Sequence, residues 1–563
     1  MKFKISKDNY TLCLLLFTLL LGAFFRFYNL NWDHSFFFQP DETNNIAIPA
    51  AHLEFPFKPE EFTYGSLTIY FYRAVASSVA FLTQNKIWLE ASNINIIGRF
   101  ISATFSTLLI LLTYLLGKKL GTKTTGLLAA FFLSVNVGLI QAAHFGTTET
   151  ILTLNAVLLT FALFAILKKE KYRNGYFFTG VILGLASGAK ISAFIFAPFY
   201  LLAHLVSLSK KNFFKRNILF VLGLVLMVLV FLIVSPYTLL DFNAFRESFN
   251  FESGVATGKI PIFYTAQFEK TIPYFFQTIH IFPWILGWPI LILGFFGLIL
   301  ILTLGLKKPS KEFFFLALLP TFYFLYNGSL FVKWTRYIIP LVPFFCLLAA
   351  FLLIFLYEKV RRKILLKFLA ISLIIFVALW QLLYAFAFSQ IYRKEDTRIT
   401  ASKWIYQNIP GGSNLLLEPL DVVGLPLPTN GYSASRYNQS WFDFYALDDY
   451  NNLQKKSETI RSLTTQLAKS DYIIIGSRRL WANRLRLENR YPLGAKYYRL
   501  LFNEELGFTK IKETSSYPEI FSIKINDDSA EETFQVFDHP KVMIFKNTGK
   551  FSSQNLEKIL SYD

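Results

Sequence analysis

The chain has 563 residues, of which 54% are hydrophobic and 18% aromatic, and its formal net charge is +19. The mean hydropathy of +0.41 excludes an ordinary soluble domain, because such a domain needs a far more polar surface. Cys13 and Cys346 are the only cysteines, and both lie in apolar runs, which excludes a disulfide framework and a thiolate metal site.

The positive charge is concentrated in short segments between long apolar runs. These basic segments lie at 2–7, 118–123, 168–173, 210–216, 307–311 and 361–363. Lysine and arginine in short loops beside apolar runs form the positive-inside pattern of a polytopic membrane protein. The charge therefore indicates membrane topology and does not indicate nucleic acid as a partner.

The apolar runs predict about eleven membrane-spanning helices, since a span needs roughly 20 apolar residues. The first is predicted to be an uncleaved span, because it lacks a small-residue cleavage site. The short fifth and sixth spans are predicted to form a hairpin of tilted helices with a hinge at 187–190. The spans are 9–28, 96–117, 124–143, 149–167, 176–188, 191–207, 217–236, 283–305, 312–330, 337–357 and 364–388.

The segment 64–84 decides the predicted topology, because it is apolar yet carries Arg73 and Gln84. If it lies along the membrane interface, every basic segment falls on one side; if it crosses, the segment 118–123 changes sides. The first arrangement predicts a multi-pass protein of the cell membrane with a cytoplasmic N-terminus. The loops 30–95 and 237–282 and the tail 390–563 are then extracytoplasmic.

Two domains are predicted, a transmembrane domain 1–389 with its first outer loop at 30–95, and a soluble extracytoplasmic domain 390–563. The fold class is mainly α, a polytopic helical membrane protein with interfacial helices and a small C-terminal α/β domain. In the tail, short apolar runs predict strands and two longer segments predict helices. The strands are 414–418, 472–476 and 542–545, and the helices are 400–408 and 497–502.

Three acidic residues on the predicted outer face are candidates for chemistry. Asp41 and Glu42 follow Pro40 in the first loop, and Glu149 precedes the fourth span. Adjacent carboxylates at a membrane boundary repel each other and are costly to desolvate, so they need a cation, a metal or a proton-accepting task. The alternatives are a solvated loop pair and, for Glu149, a favourable charge in the first turn of a helix.

Three cationic residues lie on the same predicted face. Lys190 sits at the hinge of the hairpin, and Lys333 and Arg336 lie between the ninth and tenth spans. A single lysine near a helix end commonly extends to the membrane interface. Three cations near acids would suit a phosphate group, since arginine gives bidentate contacts and lysine a point charge.

An ordered set of segments resembles a known family. The set resembles bacterial members of the protein mannosyltransferase family, glycosyltransferase family 39, which have a GT-C fold and are related to the aminoarabinose transferases of lipid A. The resemblance covers residues 1–390. The segments are Arg26-Phe27-Tyr28, Pro40-Asp41-Glu42, Arg99, HFGTTE at 144–149, GLASGAKISA at 184–193 and KWTRYIIPLVP at 333–343.

The tail also resembles uncharacterised bacterial members, and the chain departs from the family in two places. Many relatives carry His-Pro-Pro after the acidic pair, whereas this chain has FTYGSL at 62–67. Glu149 stands where aspartate is common. Both departures bear on substrate identity more than on reaction type. The tail segments are DTR at 396–398, ASKWI at 401–405, RYP at 490–492 and FDHPKVMIF at 537–545.

The resemblance implies transfer of a monosaccharide from a polyprenyl-phosphate carrier to an acceptor hydroxyl, with inversion at the anomeric carbon. The carrier would lie in the membrane lipid, and the acceptor would be a protein, a lipid or a glycan. The catalytic residues would be Asp41, as general base, and Glu42, which would orient the sugar or acceptor. Cationic residues would stabilise the departing phosphate. The predicted substrate-binding residues are Tyr64, His144, Glu149, Lys190, Lys333, Arg336 and Tyr337.

The sequence is compatible with several alternatives. No cofactor is certain, but paired carboxylates could hold Mg²⁺ or Mn²⁺ bridging phosphate oxygens. A lipid or sugar-lipid transporter or flippase is one rival, although the acids lie at one face and not at the midplane. An oligosaccharyltransferase-like enzyme of GT-C type is another, although the tail has no WWD-type motif. A non-catalytic scaffold would leave the acidic outer face unexplained.

The distribution of basic segments places the first loop and the tail on the same side of the membrane. With the two native cysteines replaced, Glu60→Cys and Ser552→Cys should both react with an impermeant thiol reagent added outside intact cells. Protection of one position and labelling of the other would contradict this topology.

Overall fold

The computed structural model describes residues 7–168, 170–307, 310–418, 424–427 and 433–561. Four lysines of the predicted basic segments therefore lie outside the described residues: Lys2, Lys4, Lys169 and Lys308. The chain divides into a larger unit of Met1–Asn31, Pro40–Ile260 and Lys270–Phe388, and a smaller unit of Trp32–Gln39, Pro261–Glu269 and Ser389–Asp563. Two short segments from the first two-thirds of the sequence thus belong to the smaller unit.

The larger unit is built of helices. Its longer helices are Lys7–Phe27, Leu67–Thr83, Ala91–Leu120, Lys123–Ser134, Val137–Ala143, Glu149–Leu167, Tyr172–Ala189, Ala197–Ser207, Phe213–Val234, Phe242–Thr257, Trp288–Lys307, Lys311–Ser329, Val342–Val360 and Ile364–Arg393, of which the last belongs to the smaller unit from Ser389 on. Its shorter helical segments are Pro40–Glu42, Thr43–Ala47, Ile48–Ala51, Lys86–Leu89, Ile191–Phe196, Lys210–Asn212, Tyr237–Leu240, Phe275–His280, Phe282–Leu286, Thr335–Tyr337 and Ile339–Leu341. Small residues allow close packing: a Cβ added at Gly180 would lie 2.4 Å from the carbonyl oxygen of Gly223.

Seven of the described helices are long and apolar enough to cross a membrane, or eight if one bent pair counts as a single span. The bent pair is Lys123–Ser134 and Val137–Ala143, which meet at 56°. The other three predicted spans are also helical but are not among the seven. They are Tyr172–Ala189, Ile191–Ser207 and Lys311–Ser329.

Asn136 explains the bend inside the predicted third span. Its side chain accepts a hydrogen bond from Leu139 N at 3.0 Å and so caps a new helix. Its amide nitrogen also donates to Ile285 O at 2.8 Å. An apolar run that looks continuous is therefore divided, because one polar side chain offers the backbone a competing partner.

The smaller unit contains a five-stranded mixed sheet with the order β2-β1-β3-β7-β4. The pairs β1–β2 and β1–β3 are parallel, and β3–β7 and β7–β4 are antiparallel. The strands are β1 (Asn414–Leu417), β2 (Asn438–Trp441), β3 (Tyr472–Ile475), β4 (Phe508–Thr514), β5 (Glu519–Ile520), β6 (Ile523–Lys524) and β7 (Val542–Asn547), of which β5 and β6 form a separate pair. The helical segments are Phe263–Phe268, Thr397–Asn408, Ala434–Arg436, Leu453–Lys469, Trp481–Arg486, Pro492–Phe502, Glu532–Phe534 and Ser553–Ser561.

Helices cover both faces of this sheet, because alternate residues of the central strands enter two different cores. Leu416 and Ile473 lie in one core, with residues of Leu453–Lys469 and Pro492–Phe502. Leu415 and Ile474 lie in the other, with residues of Thr397–Asn408. The predicted fold class, mainly helical with a small C-terminal α/β domain, is confirmed.

A buried histidine stabilises the smaller unit. His539 Nδ1 lies 2.5 Å from Asp538 Oδ1, and Nε2 lies 2.8 Å from Asp527 Oδ2; all three side chains are fully buried. Burial by itself lowers the pKa of His539, but the two carboxylates raise it to about 10. Both ring nitrogens can donate only when the imidazole is protonated, so the cluster binds its proton firmly.

This cluster predicts that the smaller unit loses stability at alkaline pH. The pKa of His539 is about 10 in the folded protein against 6.5 unfolded. The contribution of His539 to the free energy of unfolding is therefore complete below pH 6.5, the pKa in the unfolded chain. It is lost as the pH rises towards about 10, the pKa in the folded protein. We expect the urea midpoint of the smaller unit, measured by pulse proteolysis, to fall between pH 7 and pH 9.5.

The matched variant is His539→Gln, which should lower the midpoint at pH 7 and reduce its dependence on pH across the same interval. Equal wild-type midpoints at the two pH values would contradict the assignment, even if the variant fails to fold.

Candidate active site

Glu42 forms a buried ion pair with Arg99, and both side chains are 1% exposed. Arg99 Nε lies 3.1 and 3.2 Å from the two carboxylate oxygens, and Nη2 donates to Oε1. The backbone N–H of Gly146 donates to Glu42 Oε2 at 2.5 Å. The carboxylate therefore joins the first loop, the helix Ala91–Leu120 and the turn 144–149.

The helix Ala91–Leu120 presents a second side chain to the same loop. Asn95, four residues before Arg99 and so on the same helix face, donates to Thr43 Oγ1 at 3.0 Å. Arg99 Nη1 also donates to Leu30 O at 2.9 Å. One helix therefore holds the first loop both before the acidic pair, at Leu30, and after it, at Thr43.

Asp41 pairs with a different cation from its neighbour. Arg336 Nη1 donates to Asp41 Oδ2, and the two side chains are 28% and 18% exposed. The other oxygen of Asp41 lies 3.4 Å from Asn45 Nδ2. Adjacent residues of a helix project about 100° apart, which lets Asp41 and Glu42 reach separate partners. Their mutual repulsion is offset because each has its own cation.

Glu149 and Lys190 form a third ion pair. Lys190 Nζ lies 3.2 Å from Glu149 Oε1, and the side chains are 13% and 4% exposed. The ammonium also lies 5.4 Å from the ring centroid of Tyr64 and 5.0 Å from that of Tyr337. Two aromatic faces add to the stabilisation of the cation in a partly dry site.

The backbone at Gly65 explains why Lys190 is held beside Tyr64. Gly65 N donates to Ala189 O at 3.2 Å. A Cβ at Gly65 would lie 1.9 Å from Gly188 O, so no larger residue fits. Lys190 follows in an extended conformation, φ −152° and ψ 119°, which ends the helix Tyr172–Ala189. The predicted hinge is therefore the place where FTYGSL contacts the hairpin.

Tyr64 connects the two more accessible ion pairs. Its hydroxyl accepts a hydrogen bond from Arg336 Nη1 at 3.3 Å, and its ring lies beside Lys190. Two carboxylates and two cations are thus gathered at one place, and their formal charges cancel. The structure brings together six predicted site residues: Asp41, Tyr64, Glu149, Lys190, Arg336 and Tyr337.

Two other predicted substrate-binding residues make backbone contacts. The ring nitrogens of buried His144 lie 2.8 Å from Ile140 O and 2.8 Å from Tyr28 O. Buried Lys333 donates to Phe331 O at 2.7 Å, and burial lowers its pKa to about 8. These contacts stabilise the turn 144–149 and the loop before Arg336, respectively, and none of them involves the ion pairs.

Sequence reasoning missed Glu252. This residue lies in the helix Phe242–Thr257, and Arg336, Asp41 and Lys190 all act on its carboxyl electrostatically. Burial raises the pKa of Glu252, and the nearby Arg336 offsets this only in part. The segment FNAFRESFNFES has no motif spacing, so the only available signal was an acid in an amphipathic outer-loop helix.

The carboxylates of the site do not fit a divalent cation. A hard cation needs several oxygen ligands that have no competing positive partner. Asp41, Glu42 and Glu149 each bind an arginine or lysine. Among the residues that the structure describes, no group of three or more His, Cys, Asp or Glu side chains could hold a metal ion.

Residues 91–237 match a family model described as dolichyl-phosphate-mannose-protein mannosyltransferase. The matched range includes Arg99, Gly146, Glu149 and Lys190. No curated protein matches the chain significantly.

Two solved structures of an archaeal enzyme have a similar fold. The oligosaccharyltransferase AglB from Archaeoglobus fulgidus, in complex with an inhibitory peptide and a dolichol-phosphate, is similar at a TM-score of 0.52 and 13% identity, over 87% of this chain and 72% of that chain. Its apo form gives 0.51 and 13%, over 92% and 76%. ArnT from Cupriavidus metallidurans, bound to undecaprenyl phosphate, gives a TM-score of 0.47 and 11% identity, over 97% of this chain and 99% of that chain.

These findings confirm the predicted fold. The chain is a polytopic membrane protein with the GT-C fold of membrane glycosyltransferases.

The buried pair of Glu42 and Arg99 predicts a large loss of stability when one partner is removed. Glu42→Ala leaves the guanidinium buried without its carboxylate, which costs about 3–5 kcal/mol. We expect thermal unfolding in detergent to shift accordingly. The matched control is Glu60→Ala, an exposed acid of the same loop, which should change little. Equal stability of the two variants would contradict a structural role for the pair.

Proposed function

We propose that this protein transfers a monosaccharide from a polyprenyl-phosphate carrier to an acceptor hydroxyl, with inversion at the anomeric carbon. The observation that carries the proposal is the pairing of Asp41 with Arg336 beside Glu149 and Lys190, at a site partly open to solvent. A carboxylate and two cations within one site are what attack by a hydroxyl on a phosphate-linked sugar requires.

Asp41 is the proposed general base. It would take the proton of the acceptor hydroxyl as the acceptor oxygen bonds to the anomeric carbon. The bond from that carbon to the phosphate oxygen breaks on the opposite face. Because the phosphate leaves as a stable anion, no general acid is needed, unlike in glycoside hydrolysis, where two carboxylates divide the work.

Arg336 would respond to the movement of charge during this step. The donor phosphate carries one negative charge before transfer and gains a second as its bond to the sugar breaks. Asp41 loses its charge when it accepts the proton, which frees Arg336 for the phosphate. Arg336 and Lys190 would therefore stabilise negative charge where it develops in the transition state.

Glu149 and Tyr64 are proposed to position these groups. Glu149 holds Lys190 at 3.2 Å, and Tyr64 contacts both cations. Glu42 is proposed to hold the loop that carries Asp41, because its carboxylate is bound by Arg99 and by Gly146 N. Reaction rate depends steeply on such positioning.

The comparisons support a phosphate-linked polyprenol as donor. The matched family model concerns a dolichyl-phosphate-mannose enzyme, and the archaeal structure of similar fold contains a dolichol-phosphate. The departures at FTYGSL and Glu149 leave the sugar and acceptor to experiment, and protein, lipid and glycan hydroxyls are the candidates. The positive-inside pattern supports a reaction on the extracytoplasmic side of the cell membrane.

The base assignment predicts that Asp41→Asn abolishes sugar transfer while the protein still inserts and folds. We expect kcat to fall by about 100- to 10,000-fold, the contribution typical of general base catalysis. The donor KM should not rise, because Arg336 and Lys190 remain. Release of polyprenyl phosphate from a panel of monosaccharide carriers, mannose first, measures both constants.

The control for this variant is Glu60→Gln, which removes an exposed carboxylate from the same loop. It should turn over as the wild type does. Wild-type turnover in Asp41→Asn would refute the base assignment.

A further inference from the structure

Two motifs of the tail that the proposed function does not use meet in the smaller unit. Asp396 and Arg398 form a fully buried ion pair, with Arg398 Nε 2.9 Å from Oδ1 and Nη2 2.7 Å from Oδ2. Asp396 also caps the helix Thr397–Asn408 by accepting from Arg398 N at 2.8 Å. The guanidinium plane is therefore fixed by a bidentate contact.

The segment FDHPKVMIF completes this buried cluster. Arg398 Nη2 donates to Phe537 O at 2.6 Å, and Thr397 Oγ1 donates to Pro540 O at 2.6 Å. Asp538 accepts from the hydroxyl of Tyr392 at 2.8 Å and contacts His539. The two motifs thus form one buried polar cluster, to which Tyr392 and Asp527 also contribute hydrogen bonds.

This cluster binds the chain segment Trp32–Gln39. The guanidinium carbon of Arg398 lies 3.5 Å from the ring centroid of Phe38, which is only 4% exposed. Trp32 packs edge-on against Tyr392 at 6.2 Å between ring centroids. A desolvated cation over an aromatic face is among the stronger contacts of this kind. The segment belongs to the smaller unit.

The next residues of the chain are Pro40 and Asp41. We propose that Arg398, through Phe38, is a positioning residue for Asp41: the buried cluster fixes the segment that leads directly into the catalytic loop. The inference rests on the proposed function, since it assigns Arg398 an effect on the general base. Misplacement of a reacting group by about 1 Å can cost on the order of 100-fold in rate.

A second segment is bound in the smaller unit in a similar way. Arg486 donates to Ala266 O and Glu269 O, each at 2.8 Å. Gln267 Nε2 donates to Glu531 Oε1 at 2.8 Å. The smaller unit thus binds one segment from each of two predicted outer loops, which supports a positioning role for this unit.

The test compares Phe38→Ala with Lys403→Gln in the full-length protein. Phe38→Ala removes the ring beneath Arg398. Lys403 lies on the same helix as Arg398 and pairs with Glu395, which precedes that helix; the two side chains are 36% and 31% exposed. We expect Phe38→Ala to raise amide hydrogen exchange in peptides spanning 32–45, and to lower kcat by about 10- to 100-fold with the donor KM within twofold. Lys403→Gln should change neither.

Two further variants separate positioning from general damage. Phe38→Tyr retains the aromatic face and should restore both exchange protection and most of kcat. Unchanged exchange in 32–45 with Phe38→Ala would overturn the inference, as would faster exchange with wild-type kcat. If Asp41→Asn were fully active, the proposed function would fail, and the exchange measurement alone would still decide whether Phe38 holds the segment.

Discussion

The ion pair between Glu42 and Arg99 is the contact on which the rest of the site depends. It is buried, its carboxylate accepts from three nitrogen atoms, and it joins a loop, a helix and a turn that are far apart in the sequence. A charge in this position is tolerated only with its partner, because water cannot replace either one. With the loop fixed there, Asp41 is left at the more accessible side of the same short helix.

The three ion pairs of the site differ in solvent exposure, and therefore in how easily they can exchange partners. Glu42 and Arg99 are inaccessible, the Glu149–Lys190 pair is nearly so, and the Asp41–Arg336 pair is the most open. A pair that water reaches can exchange partners at little cost, whereas a buried pair cannot. Pairs of the same chemistry thus differ in burial, and the proposed chemical role falls on the most open of them.

The smaller unit uses the same chemistry for a different purpose. His539 lies between two carboxylates, and Arg398 is bound by Asp396, in both cases with every member buried. Such clusters add specificity because few alternative arrangements satisfy all their hydrogen bonds. The DTR and FDHP segments form such clusters beside the two apolar cores of the tail, which also contains the buried ion pair of Arg479 and Glu532.

The sequence by itself determined the membrane class, most helices, the tail strands 414–418, 472–476 and 542–545, and the motifs that carry the site. Those features depend on hydropathy and period, which are local properties. Only the tertiary structure decided which acid pairs with which cation, that Asn136 divides an apparent span, and that Arg336, Asp41 and Lys190 act electrostatically on the carboxyl of Glu252. It also decided that residues 32–39 belong to the smaller unit. These outcomes depend on contacts between residues far apart in the chain, and no local pattern encodes the distance between Asp41 and Arg336.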